Sequence, residues 1–256
     1  MSDVQARIDR AKELLQGLKG EVIAFFDAKP YEAVVEEETG TGDLVVKAKI
    51  HGQPPEQWKI TTGEIIHHLR SSLDLWVHDL VIKNGNAPTR KTAFPVFDKD
   101  ADFKKFGSDK LTGIDSDSHA FIMGLNLYQS GNPVIWKLHK LDIEDKHRKL
   151  IVAGSAHRSV VIDPVQMFRD IMPLGKEFPA MPIALIPAER DFPLRDGSIL
   201  YRVPAQVRQS HPNELPKYEF EIAYGDGSVV KDDPLIQGLD SFVDSVEKII
   251  LWSNPE

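Results

Sequence analysis

Between residues 138 and 150 the chain reads LHKLDIEDKHRKL, which sets His139, Asp142, Asp145, Lys146, His147 and Arg148 close together among leucines and an isoleucine. Earlier, HHLRSSLDLWVHDL (67–80) spaces His67, Arg70, Asp74 and His78 at three- and four-residue steps. Helical residues rotate by about 100° each, so these four form one stripe beside the apolar face of Ile66, Leu69, Leu73, Val77 and Leu80. On the later segment Ile135, Leu138, Leu141, Asp142 and Asp145 fall near one line, and the carboxylates continue an apolar stripe. Packed together, the two helices would bring Arg70 and Asp74 to His139, Asp142, Asp145 and His147, a concentration of exchangeable protons and fixed charge.

Such a set suits metal-free phosphodiester cleavage. One histidine takes the ribose 2′-hydroxyl proton and another protonates the leaving oxygen, because imidazole titrates near neutrality. In this reading His139 and His147 are the acid and base, Arg70 positions phosphate, and Asp74, Asp142 and Asp145 orient them. Lys146 and Arg148 add local basicity for substrate binding. A metal reading would pair Glu64 and His68 on one helix with His139 and Asp142 on the other, as in two-metal bundle enzymes. It ranks lower, since Glu64 and His68 point away from the apolar face, so neither metal nor cofactor is expected. The competing non-catalytic reading makes Arg70, Asp74, Asp142, Asp145 and Arg148 an ion-pair lattice that fixes helix register in a binding or scaffold protein.

These residues need a frame. Val4, Ile8, Ala11, Leu15, Leu18, Val22 and Phe25 predict a long first helix stopped by Pro30. YEAVV and DLVVKAKI flank glycines 40 and 42, predicting a hairpin over 31–51. Thr61 and Glu64 have the spacing of a capping box, so the second helix is expected to open there and close on Asn84-Gly85. Residues 87–113 read as an irregular excursion with TAFPVF pressed on the core, and SHAFIMGLNLYQ as a short third helix. Asn132-Pro133 is an N-cap and first-turn pair for a fourth helix over 133–152. Beyond about residue 155 strands dominate, in IALIP, SILYRVPAQVR and KYEFEIAYGDG, before a closing helix striped by Leu235, Leu239, Phe242, Val246 and Ile249.

The segments HHLRSSLDLWVHDL and VIWKLHKLDIEDKHRKL resemble a family of uncharacterised bacterial and phage proteins marked by a leucine-histidine-x-leucine-aspartate helix ending in Asp-Lys-His-Arg. That resemblance covers roughly residues 58–152 and implies no established activity. More weakly, the bundle resembles the HEPN superfamily of helical proteins, many of them metal-independent ribonucleases or partners of toxins. Their arginine-to-histidine interval is shorter than Arg70 to His78 or Arg148 to His157, so an activity here would use Arg70, His139 and His147 in another arrangement.

A net charge of −8 argues against a broad DNA-binding surface. With no cysteine, thiolate metal sites, disulfides and cysteine nucleophiles are excluded. The charged N-terminus and the short apolar runs predict a cytoplasmic chain without a membrane span. A lone hairpin is too small to be stable, so it needs the C-terminal strands. The expectation is therefore one compact α+β unit over 1–256: a helical core over 58–152 packed against an antiparallel sheet of the hairpin and C-terminal strands, with a mainly β stretch and closing helix over 155–256. Its function would be metal-independent RNA processing or a defence-associated role, with RNA or a protein as partner and a homodimer as the assembly.

Overall fold

The computed structural model describes residues 3–147, 152–158, 194–203, 218–225, 229–230 and 233–252. Apolar residues at helical spacing bury Val4, Ile8, Ala11, Leu15 and Leu18 along one side of α1 (Asp3–Asp27), which ends before Pro30 as its fixed φ and missing N–H require. Strands β1 (Tyr31–Glu37) and β2 (Leu44–Ile50) form the hairpin, with Gly40 and Gly42 both at positive φ in its turn. Helix α2 (Gln57–Lys83) closes at Asn84 with Gly85 at φ 77°. Then follow α3 (Asp100–Lys110), α4 (Ser116–Gly124), α5 (Pro133–His147), β3 (Val152–Arg158), β4 (Ile199–Val203), β5 (Tyr218–Tyr224) and α6 (Leu235–Leu251).

The fold is mixed α+β and mostly helical. Where the sequence reads as one unit over 1–256, contacts divide the chain into two, each assembled from separated stretches: 1–23 with 55–152 and 223–256, and 24–54 with 153–222. In the first, α2, α5 and α6 pack pairwise. Ile65, Ile66, Leu69 and Leu73 of α2, Ile135, Leu138 and Leu141 of α5, and Leu239, Phe242 and Val246 of α6 are all buried. Helix α1 joins them through Arg7 to Ser71 and through ion pairs Lys12–Glu247 and Lys19–Asp240. Buried Trp58 donates its indole N–H to Glu21 at 2.7 Å.

In the second unit β4 completes an antiparallel sheet of order β1-β2-β4, with a register shift between Val46 and Lys47. Its core is Tyr31, Val46, Ala48, Leu194 and Leu200, flanked by Phe25, Phe26, Ile50 and Phe220. The hairpin thus gains the partner it needs, from a strand about 150 residues later. Strand β5 does not join that sheet; it pairs with β3.

Three local expectations are corrected. Helix α2 begins at Gln57, and Thr61 lies inside it, so the Thr61–Glu64 spacing is not a capping box; no side-chain cap bond closes that terminus. Within the excursion, α3 forms from DADFKKFGSDK, whose polarity hides the helix because only Phe103 and Gly107 are buried. Strand β3 takes up residues 152–158, so the fourth helix, expected to run to 152, does not include Val152. IALIP lies outside the described residues. Elsewhere Phe94 and Val96 of TAFPVF are buried as expected, and Asn132 Oδ1 accepts the Ile135 N–H at the start of α5. Trp252 is half exposed and stacks on Phe121 with ring centroids 3.9 Å apart. Among the described residues no helix is long and apolar enough to cross a membrane.

Candidate functional site

Packing of α2 against α5 brings the two polar segments together, but sorts their residues into an inner network and an outer hollow. Arg70 is the centre of the inner one and is 6% exposed. Its Nε–H donates to His139 Nδ1 at 3.1 Å, one terminal nitrogen donates to the Phe94 carbonyl at 3.1 Å, and the other pairs with Asp74 at 2.7 Å. Asp74 in turn accepts the Phe94 N–H at 2.8 Å, and one turn on, His78 bonds the Thr92 carbonyl at 3.0 Å. The α2 stripe read from the sequence therefore clamps the backbone of residues 92–94 onto the bundle.

Because Arg70 donates to its Nδ1, His139 carries its proton on Nε2 and is neutral. Burial, reinforced by the Arg70 charge, pushes the imidazole down to about 4. At neutral pH it is not the imidazolium that a general acid requires, and its one basic nitrogen is taken by a guanidinium. This geometry opposes the acid–base role expected of His139, and Arg70, spent on protein acceptors, is poorly placed to hold phosphate.

Further toward the start of α2 the character changes. Asp142 is 5% exposed, and its Oδ1 lies 3.1 Å from Nδ1 of His67, whose side chain is 50% exposed. A buried carboxylate behind a solvent-facing imidazole fixes the tautomer with Nδ1 protonated and leaves Nε2 as the basic nitrogen. His67 borders an open hollow of about 340 Å³ lined also by Ile60, Gly63, Glu64, His68 and Asp145. His68 stands with its ring centroid 6.5 Å from that of His67, and its Nδ1 is buried with no hydrogen-bond partner. Burial, then the charges of Arg7 and His67, lower its pKa, with Arg10 adding to the same effect.

Asp145 reaches this hollow through a gap in α2. A β-carbon at Gly63 would stand 2.5–2.7 Å from both carboxylate oxygens and Cγ of Asp145, so only glycine admits the carboxylate there. Near the far end of α5, Lys140 and the Trp136 indole both bond Asp98 and lower its pKa, Lys140 most. The helix reaches His147, but the side chains of Lys146 and His147, and all of Arg148, lie outside the described residues.

The structure thus brings Arg70, Asp74 and His139 together, sets Asp142 on His67, and sends Asp145 to Gly63. Helix periodicity aimed Glu64 and His68 away from the core; Glu64 is exposed, His68 is half-buried with its Nδ1 sealed, and the periodicity did not show that both rim a hollow. The available signal was Gly63 itself, an isolated glycine inside a helical pattern. Among the described residues no group of three or more histidine, aspartate or glutamate side chains is arranged to hold a metal ion. No family model, curated protein or solved structure matches the chain.

Proposed function

We propose that the protein is a metal-independent RNA-processing protein whose acid–base chemistry lies at the hollow, on His67 and His68. The observation that supports this is the half-exposed His67 imidazole backed by buried Asp142. Asp142 holds the ring with Nε2 toward the open side, the arrangement in which a histidine takes a proton from a hydroxyl. His68 lines the same hollow as a second imidazole, and the low pKa that burial gives it makes it a proton acceptor and not a donor at neutral pH. Arg7, which donates to Ser71, and Arg10, paired with Glu13, lie near enough for their charges to act on His68. Asp142 takes a positioning role on His67 in place of His139, and the proton-transfer role moves from His139 to His67.

A non-catalytic binding or scaffold role draws on a separate observation. Arg70 bonds His139 and the Phe94 carbonyl and pairs with Asp74, which accepts the Phe94 N–H, as in a structural network. One experiment separates the two readings: incubate the protein with labelled single-stranded RNA of mixed sequence in EDTA and identify the product ends. The catalytic reading expects cleavage to 2′,3′-cyclic phosphate ends, with His67→Ala slower by about 100-fold or more. Absence of cleavage, loss of cleavage in EDTA, or full activity of His67→Ala would overturn it and favour the scaffold.

A further inference from the structure

Helix α3 turns Phe103 and Gly107 inward, which leaves Phe106 facing out at 41% exposure. A single outward aromatic needs no explanation by itself, but the charge around this one gives it a use. The Lys105 ammonium stands 4.8 Å from the Phe106 ring centroid, and Lys110 follows one turn later on the same face. The Lys110 carbonyl accepts the Ala93 N–H at 3.3 Å, so the turn closed by Thr89 and Thr92 lies against the end of α3, with Arg90 and Lys91 exposed at its tip. Residues 90–110 carry six cations and four carboxylates, in a chain whose net charge is −8. Asp98 is held by Lys140 and Asp100 by Lys104. That leaves Arg90, Lys91, Lys99, Lys105 and Lys110 against Asp102 and Asp109, and among the described residues these five cations make no ion pair.

We propose that this face of α3, with the turn beside it, is a docking surface for single-stranded RNA; the choice of RNA over single-stranded DNA rests on the reading of the hollow. Unpaired cations match a phosphate backbone, and an unstacked base can lay its π-face on an exposed ring whatever its identity. A duplex keeps its bases stacked on one another and offers Phe106 no such face. An anionic membrane would need more apolar surface than one ring, and the other outward residues of α3, such as Ala101, Lys104, Ser108 and Asp109, are small or polar. An acidic peptide would engage the cations and leave the ring unused. The surface is distinct from the hollow. Just past α3 the Gly113 carbonyl accepts from Asn84 and Asn86 at the far end of α2, and Asn84 is roughly 30 Å along that helix from Gly63.

The test is fluorescence anisotropy of the full chain with labelled 2′-O-methyl oligouridine of about 15 nucleotides, which has no 2′-hydroxyl to be cleaved. It is repeated on Phe106→Ala, Phe106→Trp and a triple variant carrying Arg90→Gln, Lys91→Gln and Lys110→Gln, each checked for parental stability by urea unfolding. Phe106→Ala should weaken binding about five-fold or more, the lower end of what one base-stacking ring contributes, and Phe106→Trp should retain it. The triple variant should lower the slope of log affinity against log salt by about 2, since each phosphate contact on a single strand accounts for about 0.7. No binding, equal binding by Phe106→Ala, or binding of a duplex, oligothymidine or polyglutamate of the same length more tightly than the oligouridine overturns the assignment. Phe106-dependent binding in a protein that cleaves no RNA would overturn the catalytic reading of the hollow and leave this surface standing; RNA cleavage with binding unaffected by Phe106→Ala does the reverse.

Discussion

The inner network around Arg70 and the outer hollow around His67 are built from the same two helices and the same residue types, yet they differ in what the ionisable groups face. Arg70 and His139 face each other and backbone, with their hydrogen-bonding capacity turned inward. His67 faces open space with Asp142 at its rear, and Asp145 lines the same hollow against Gly63. Charged residues on one helix stripe can therefore serve opposite ends: where every partner is protein the group fixes the fold, and where one side is open it is available for chemistry.

The largest effect should come from breaking the inner network. Arg70→Met leaves the Phe94 carbonyl and His139 Nδ1 without their donor and Asp74 without its ion-pair partner, and unfolding free energy in urea should fall by about 3 kcal/mol. A loss no greater than that of His67→Ala would mean that the two regions do not differ as described.

Next in size is a pH effect. Unfolded, His139 titrates near 6.5; folded, burial holds it at about 4. Between those values the unfolded chain binds the extra proton, so this contribution is complete above pH 6.5 and is lost as pH falls toward 4. It amounts to roughly 3 kcal/mol at most. His139→Gln keeps an acceptor for Arg70 and removes the titration, so its stability should change less than the parent's between pH 7 and pH 4.5 when both are followed by urea unfolding. Parallel curves would show that His139 is not held neutral by the fold.

Smaller stability changes are expected at the hollow. His67→Ala should alter unfolding free energy by less than about 1 kcal/mol, since the ring is half exposed, while abolishing any RNA cleavage. Gly63→Ala sets a helix-propensity gain of about 1 kcal/mol against displacement of Asp145, leaving stability near the parent's. Asp145→Asn should be the mildest, within about 0.5 kcal/mol by the same urea measurement. A large loss in any of these three would assign the hollow to structure and erase the contrast.

Much of the frame was legible because its signals are local. Asn132-Pro133 marks the start of α5, the apolar stripe from Leu235 to Ile249 defines α6, and alternation from Leu44 to Ile50 defines β2. Helix α3 was not legible because a short helix that buries little has no stripe to show. The start of α2 was misplaced because a serviceable cap spacing at Thr61 occurs inside a longer helix. For the site, spacing along α2 correctly joined Arg70, Asp74 and His78 in one stripe. It did not show that Asp142 would turn to His67 while His139 turned to Arg70, because that depends on the azimuth of one helix against the other.

By itself the sequence determined which residues share a helix face and which strands alternate, since these follow from periods of about 3.6 and 2 residues along one chain. It also determined that ionisable groups would crowd the seam between α2 and α5. Only the tertiary structure decided which of them are dehydrated. Burial of Arg70 against Phe94 and of His139 against Arg70 holds one histidine neutral, while another borders an open hollow where Asp145 seats on Gly63. Desolvation depends on what the rest of the chain lays over a group, and no local spacing encodes that.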